Sequence, residues 1–269
     1  MEHVTTTDGI RIAISVHDAP ARAAKTRLAL VHSLAMTRSF WDPLVERLAG
    51  DASIVTIDAR GHGDSDKPPG PYTAERMAQD LRDVIDALGW DRVSVAGASM
   101  GGCVALQFAG SLPDRTAGLG LIDTTAWYGA EAPKDWATRA AKARSEGLGA
   151  LVDFQRTRWF SDAFRARESQ IVERCVETFL RNDVDAFASA CHMLGAFDGR
   201  SFLRGISVPT TVIVGEEDYA APVAMAEALH QGIPGSRLTI IPSARHLTRL
   251  ETPDVVADEL RAILRAAAT

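Results

Sequence analysis

The chain has 269 residues, 46% of them hydrophobic and 24% charged, which is material for one large domain or two small ones with an ample core. The net charge is −6, and mild acidity with no basic block argues against nucleic acid as the main partner. Cys103, Cys175 and Cys191 stand far apart with no CxxC pair, and read as reduced, buried thiols of a cytoplasmic protein, not as a disulfide framework or a zinc site.

The N-terminal MEHVTTTDGI lacks a cationic region followed by an apolar run, so no secretory signal is expected. IRIAISVHD (10–18) has the period-two character of a strand. RLALVHS (27–33) is a short continuous apolar run, as a central strand covered on both faces requires. ASIVTIDARGHG (52–63) repeats that pattern and ends in Gly61 and Gly63. In TAERMAQDLRDVIDALG (73–89) the apolar positions Met77, Leu81, Val84, Ile85 and Leu88 recur at helical spacing, with Thr73 as cap and Gly89 as stop. DRVSVAGASMGGCVALQFAGSLP (91–113) reads as strand, tight glycine turn and helix, and TAGLGLID (116–123) as another buried strand.

Strand–helix alternation predicts a mostly parallel sheet flanked by helices. It breaks off after Asp123, and from about 127 to 205 the pattern is helical only. It resumes with the strand VPTTVIVGEED (208–218), the helix PVAMAEALHQGI, the strand SRLTIIPSARH (236–246) and the helix PDVVADELRAILRAA (253–267). The expected organisation is an α/β core of residues 1–126 and 206–269 with a helical cap, 127–205, inserted between two strands. No apolar stretch approaches the roughly 20 residues that a membrane span needs.

Gly97-Ala98-Ser99-Met100-Gly101 fits the G-x-S-x-G nucleophile elbow in the strand–turn–helix context that the motif requires. A sharp turn from strand to helix strains the serine backbone and exposes its oxygen at the strand's carboxyl end. Side chains two residues to either side would collide there, hence the glycines. The competing reading, a phosphate-cradling turn, lacks both G-x-G-x-x-G spacing and a Walker lysine. Hydrolase logic then asks for an acid and a histidine in loops after late strands. His246 directly follows the last predicted strand, whereas His3, His17 and His230 read as surface positions and His62 as ordering its turn. His192 falls in the inserted helices, where a structural role outweighs one in the pocket. For the acid, Glu216, Glu217 and Asp218 are all available after Gly215. The oxyanion donors are assigned to the backbone N–H groups of Leu34, after the strand LALV, and Met100, at the helix start.

With these residues in place, the chain resembles the α/β-hydrolase superfamily over essentially its whole length. Similar hydrolases carry the acid three residues after the glycine with a proline shortly behind, which selects Asp218, followed by Pro222, with Glu217 in reserve. The segments HSLAMTRSFWDPLVERLA, DARGHGDSDKPPGPYT, GASMGG, DWATRAAKARSEG and RWFSDAF further resemble 3-oxoadipate enol-lactonases of aromatic catabolism. The first three are widely shared, and the cap pieces are the more discriminating. The resemblance implies a Ser-His-Asp triad, in which Asp218 orients His246 and His246 takes the Ser99 proton. It implies a small, anionic enol-lactone as substrate, opened through an acyl-enzyme, and neither metal nor organic cofactor. A homo-oligomer is compatible with it. His32, Arg245, Arg249 and His192 depart from the lactonase pattern and are taken as neighbours of the pocket, bearing on substrate and not on reaction type. An esterase or lactonase for another acyl group, a carbon–carbon bond hydrolase, a perhydrolase and a ligand receptor share the same constellation. Epoxide hydrolases and haloalkane dehalogenases resemble the fold with an aspartate where this chain has Ser99.

DWATRAAKAR (135–144) is the remaining clue. At roughly 100° per residue, Arg139 lies about 60° from Trp136, Arg144 about 80° to the other side, and Lys142 well away. Given the resemblance, Arg139 beside Trp136 is assigned as the grip on a substrate carboxylate, bidentate through its guanidinium, with the indole covering the ring.

Overall fold

The computed structural model describes residues 2–23 and 25–268, built around an eight-stranded sheet of order β1-β2-β4-β3-β5-β6-β7-β8. The strands are β1 (Glu2–Thr5), β2 (Arg11–His17), β3 (Arg27–Val31), β4 (Ser53–Ile57), β5 (Val93–Ala98), β6 (Thr116–Ile122), β7 (Thr210–Gly215) and β8 (Arg237–Ile241). β1 and β2 pair antiparallel, β2 runs antiparallel to β4, and the six later strands are mutually parallel. Strands β4, β5 and β7 are buried along their whole length, which is why they read as continuous apolar runs without alternation.

Eleven α-helices are described: α1 (Asp42–Leu48), α2 (Ala74–Ala87), α3 (Met100–Ser111), α4 (Ala132–Glu146), α5 (Val152–Trp159), α6 (Asp162–Arg167), α7 (Ser169–Leu180), α8 (Val184–Ala196), α9 (Val223–Gly232), α10 (Thr248–Glu251) and α11 (Pro253–Ala267). Among the described residues, none is long and apolar enough to cross a membrane. The expected punctuation of α2 is present. The Arg76 N–H donates to Thr73 Oγ1 at 3.0 Å, and Gly89 takes φ +65° just past the helix.

Helices α4 to α8 all lie between β6 and β7 and add no strand to the sheet. The two ends of this insertion meet in a single antiparallel bridge, Trp127 to Asp198, with the Gly199 N–H donating to the Ala126 carbonyl at 2.7 Å. The long excursion therefore leaves and rejoins the sheet at one point.

Two strand expectations differ from the fold. β1 has no counterpart in the sequence reading, because four mostly exposed residues show no period. The strand expected over 236–246 stops at Ile241: Pro242 cannot donate to the ladder, and Ser243 turns the chain with φ +56°. His246 thus stands in a loop beyond that turn instead of directly on the strand end.

The strand order reverses direction between β3 and β5, which opens a crevice at their carboxyl ends, the usual ligand position in such sheets. There the start of α3 presses onto β3, so that a Cβ at Gly101 would overlap the carbonyls of Val31 and His32. Gly101→Ala should therefore cost roughly 1–3 kcal/mol through overpacking. An unchanged denaturation midpoint would mean that the approach is looser than described.

Candidate active site

Ser99 caps α3 with φ 53° and ψ −116°, a left-handed conformation that a non-glycine residue holds only when its surroundings over-determine it. They do so here. The Ser99 N–H donates to the Ile122 carbonyl at 2.8 Å, and the Ser99 carbonyl accepts from Thr124 Oγ1 at 2.7 Å and from the Gly102 N–H at 2.9 Å. A Cβ at Gly97 would overlap the Gly101 carbonyl, so this turn closes only with glycine on both sides. Its result is that the serine oxygen stands clear of the sheet and faces a cavity.

His246 Nε2 lies 2.9 Å from Ser99 Oγ, and its Nδ1 lies 2.8 Å from Asp218 Oδ2. The other Asp218 oxygen accepts from the N–H groups of Ala220 at 2.7 Å and Ala221 at 2.9 Å. With a carboxylate on Nδ1, the ring proton belongs there, and Nε2 is left to accept from the serine. All three side chains are buried. Of the alternative acids, Glu217 pairs with Arg245 at 3.4 Å, and Glu216 accepts from the Ser243 N–H at 3.0 Å.

The histidine loop is fastened from two directions. On one side it is tied to the inserted helices: the His246 N–H donates to the Arg158 carbonyl at 3.4 Å and the Leu247 N–H to that of Trp159 at 2.9 Å. Arg245 Nη1 adds bonds to the carbonyls of Thr157 and Phe160 at 2.9 and 3.1 Å. On the other side, Asp123 at the end of β6 accepts from the N–H and hydroxyl of Thr248 at 3.1 and 2.7 Å. Arg249 Nη1 sits 3.9 Å from that carboxylate and 3.5 Å from the His246 carbonyl, while its guanidinium lies over Phe40. Burial raises the Asp123 pKa, with the nearby Asp218 charge adding, and burial lowers that of Arg249.

The loop after β3 carries Leu34 to the cavity wall. Neither the Leu34 N–H nor the Met100 N–H has an acceptor among the described residues. His32 underlies this loop. Its Nε2 accepts from the Ala59 N–H at 3.0 Å, so Nδ1 carries the proton and donates to the Ser33 carbonyl at 2.8 Å. Burial lowers the His32 pKa to about 4. Its ring meets that of His62 edge-on at 5.1 Å, and burial takes His62 down to about 3.

The cavity holds about 450 Å³ and is lined by Ser99, His246 and Leu34 from the core and by Tyr128, Trp136 and Arg139 from the insertion. Arg139 is held between aromatic rings, 4.5 Å from the Trp136 centroid and 5.0 Å from that of Phe154, and burial lowers its pKa. Its neighbours divide as helix geometry predicts: Arg144 pairs outward with Asp185 at 2.9 Å, and Lys142 lies 4.0 Å from Glu146.

Four expected pocket neighbours lie elsewhere. His192 is exposed on α8, His32 is buried beneath the Leu34 loop, Arg245 braces the histidine loop, and Arg249 is fully buried. Arg249 also reaches the His246 backbone, closer to the triad than expected. Three residues that line or support the site escaped sequence reasoning. Tyr128 faces Ser99 and Cys103, and burial raises its pKa. Arg158 lines the cavity, and Asp123 anchors Thr248. No local pattern distinguishes them, since each depends on neighbours distant in the chain. Among the described residues, no group of three or more His, Cys, Asp or Glu is placed to hold a metal ion.

Comparison with known proteins identifies the family and the fold. Residues 28–259 match the profile of the alpha/beta hydrolase family. 3-oxoadipate enol-lactonase 1 of Acinetobacter baylyi is 30% identical over 223 residues, covering 83% of this chain and 82% of that protein. The crystal structure of the enol-lactonase from Burkholderia xenovorans superposes with a TM-score of 0.93 at 32% identity, covering 98% of this chain and all of the other. A thermophilic esterase from Thermogutta terrifontis, solved with malate bound, gives a TM-score of 0.91 at 31% identity, covering 100% of this chain and 99% of its own.

Removing one member of a buried ion pair leaves the other charge uncompensated. Asp123→Ala, which strands Arg249 and frees Thr248, should therefore lower unfolding free energy by roughly 3–5 kcal/mol in chemical denaturation. A change below about 1 kcal/mol, the scale of an exposed pair, would remove Asp123 from the structural support of the histidine loop.

Proposed function

The chain belongs to the alpha/beta hydrolase family, and on that footing we propose that it is a serine hydrolase opening a carboxylated enol-lactone of the 3-oxoadipate type. The observation that carries this reading is the unbroken hydrogen-bonded chain Asp218–His246–Ser99 ending in a cavity that also presents Arg139.

The chemistry follows from the groups in place. His246 Nε2 takes the Ser99 proton as Oγ attacks the ring carbonyl, and Asp218 holds the imidazole in the accepting tautomer and stabilises its protonated form. The negative charge that develops on the carbonyl oxygen is met by the N–H groups of Leu34 and Met100, with the positive end of α3 behind Met100. Collapse of the tetrahedral intermediate breaks the ring C–O bond and releases its oxygen as an enolate, a good leaving group. The enolate takes up the proton held by His246 and tautomerises from enol to ketone, leaving His246 neutral. Water activated by His246 then cleaves the acyl-enzyme and releases a dicarboxylic 3-oxo acid. Arg139 grips the substrate carboxylate while Trp136 covers the ring, and the helices of 127–205 serve as the cap that shapes this end of the site. Likeness to an esterase solved with malate favours one second reading, an esterase for carboxylated acyl groups.

An activated acetate ester should give a burst of nitrophenol, and its absence from the wild-type protein would leave the chain a binding protein on a hydrolase scaffold. Ser99→Ala should abolish nearly all turnover, retaining at most about 10³–10⁴-fold acceleration over water. Substantial residual activity would displace Ser99 as nucleophile. A panel of carboxylated enol-lactones, neutral lactones and simple esters separates the two substrate readings, and a wide preference for neutral esters would reject both. Arg139→Ala should lower kcat/KM for a carboxylated lactone about 10–100-fold more than for a neutral ester, as loss of a charge-assisted bond requires. Equal losses on both would exclude the carboxylate grip.

A further inference from the structure

Arg158, in the last turn of α5, lines the same cavity as Ser99 and Arg139. Its guanidinium packs 4.8 Å from the centroid of Phe154, the ring that Arg139 approaches at 5.0 Å. Stacking on a ring covers the face of a guanidinium and leaves its in-plane N–H edge open to a planar acceptor. Arg158 Nη2 donates to the Tyr219 carbonyl, and its Nε is buried without a partner.

What sets these two arginines apart is charge in a half-buried place, since Arg174 and Arg181, which also lack a carboxylate partner among the described residues, are exposed. Elsewhere on the insertion Arg144, Arg156 and Arg165 each have a carboxylate within ion-pair distance, and so does Arg245 beneath it. Among the described residues, Arg139 and Arg158 have none. Two like charges packed on one phenyl ring repel each other in a half-buried space, and burial lowers the pKa of both. Asp135 also lines the cavity, but it is exposed at the rim and pairs with neither. With the Asp218 carboxylate taken up by His246, guanidiniums outnumber carboxylates two to one along the cavity lining, room for one anionic group.

We propose that Arg158 is a second specificity-determining residue and that it shares a single substrate carboxylate with Arg139. The inference rests on the reading of the site as a serine hydrolase for a carboxylated acyl substrate. Its location gives the grip a short reach to the reacting atoms. The Arg158 carbonyl accepts from the His246 N–H, and its side chain bonds the carbonyl of the residue after Asp218. An anion held there is placed against both loops that deliver the base and its orienting acid.

The experiment compares para-nitrophenyl hemisuccinate with para-nitrophenyl butyrate, acyl groups of similar size that end in a carboxylate or a methyl. The proteins are wild type, Arg139→Ala, Arg158→Gln, Arg158→Lys and the Arg139→Ala/Arg158→Gln double variant. Arg158→Gln should lower the hemisuccinate-to-butyrate ratio of kcat/KM about tenfold or more, chiefly through KM, on the scale of one charge-assisted hydrogen bond. Arg158→Lys, which keeps the charge, should recover part of the ratio. Because both residues hold one group, the double variant should lose far less than the product of the single losses. Equal fractional losses of Arg158→Gln on both esters would overturn the proposal and reduce Arg158 to its bond with Tyr219. Losses that multiply would overturn it in favour of two separate anion contacts. Should Arg139→Ala leave the ratio unchanged, the carboxylate reading of the whole site fails. Should Arg139→Ala lower it and Arg158→Gln not, only the present inference fails.

Discussion

The structure depends on the close approach of the first turn of α3 to the ends of β3 and β5. Gly97 and Gly101 permit it, since any side chain at either would occupy the space of a backbone carbonyl. The approach forces Ser99 into φ 53°, and hydrogen bonds to its N–H and its carbonyl keep it there. Strain of this kind, on the order of 1–3 kcal/mol, persists only where the surrounding fold outweighs it. The largely buried strands β3, β5 and β6 around it supply that excess. The same contact aims the serine oxygen outward into the cavity, and it leaves the Met100 N–H without an acceptor among the described residues, free for the oxyanion role proposed for it.

Against that rigid half of the site stands a half assembled from loops. Asp218 and His246 follow β7 and β8, and neither loop is held by the sheet alone. The inserted helices hold the histidine loop through backbone bonds to Arg158 and Trp159, while Asp123 and Arg249 hold it from the core. The insertion is therefore more than a wall around the cavity. Displacing α5 would disturb the His246 backbone as well as the Arg158 and Phe154 side chains, so substitutions on the outer helices can reach the relay without touching it.

Much of this was legible in the chain. The buried strands, the elbow and the order serine, acid, histidine all rest on short-range rules: apolar runs, glycines at fixed offsets, a turn after a strand. Trp136 and Arg139 were legible because helical periodicity fixes which neighbours share a face. Sequence reasoning erred where a local rule was under-weighted, as with Pro242 inside an expected strand. It was silent where position comes from tertiary packing. Arg158 is one of two arginines on its helix, and only the approach of Phe154 and Arg139 marks it out. Asp123 looks like any acid at a strand end until Thr248 and Arg249 arrive from the far end of the chain. The arginines at 245 and 249 drew notice as departures from a family pattern, and both turn out to brace the backbone around His246.

The two imidazoles beneath the Leu34 loop have a consequence for acid tolerance. His32 and His62 are held neutral by burial, with folded values of about 4 and about 3, whereas a histidine in an unfolded chain titrates near 6.5. As pH falls below about 6.5 the unfolded chain takes up protons that the folded chain refuses, so the equilibrium tilts toward unfolding. The tilt grows until the pH passes below the folded values, and it is absent above neutrality. Because His32 bridges the Ala59 N–H and the Ser33 carbonyl through one fixed tautomer, protonation would also break the bond at Nε2. Acid would thus loosen the corner of the molecule from which the Leu34 N–H is presented, a weakness located in the scaffold.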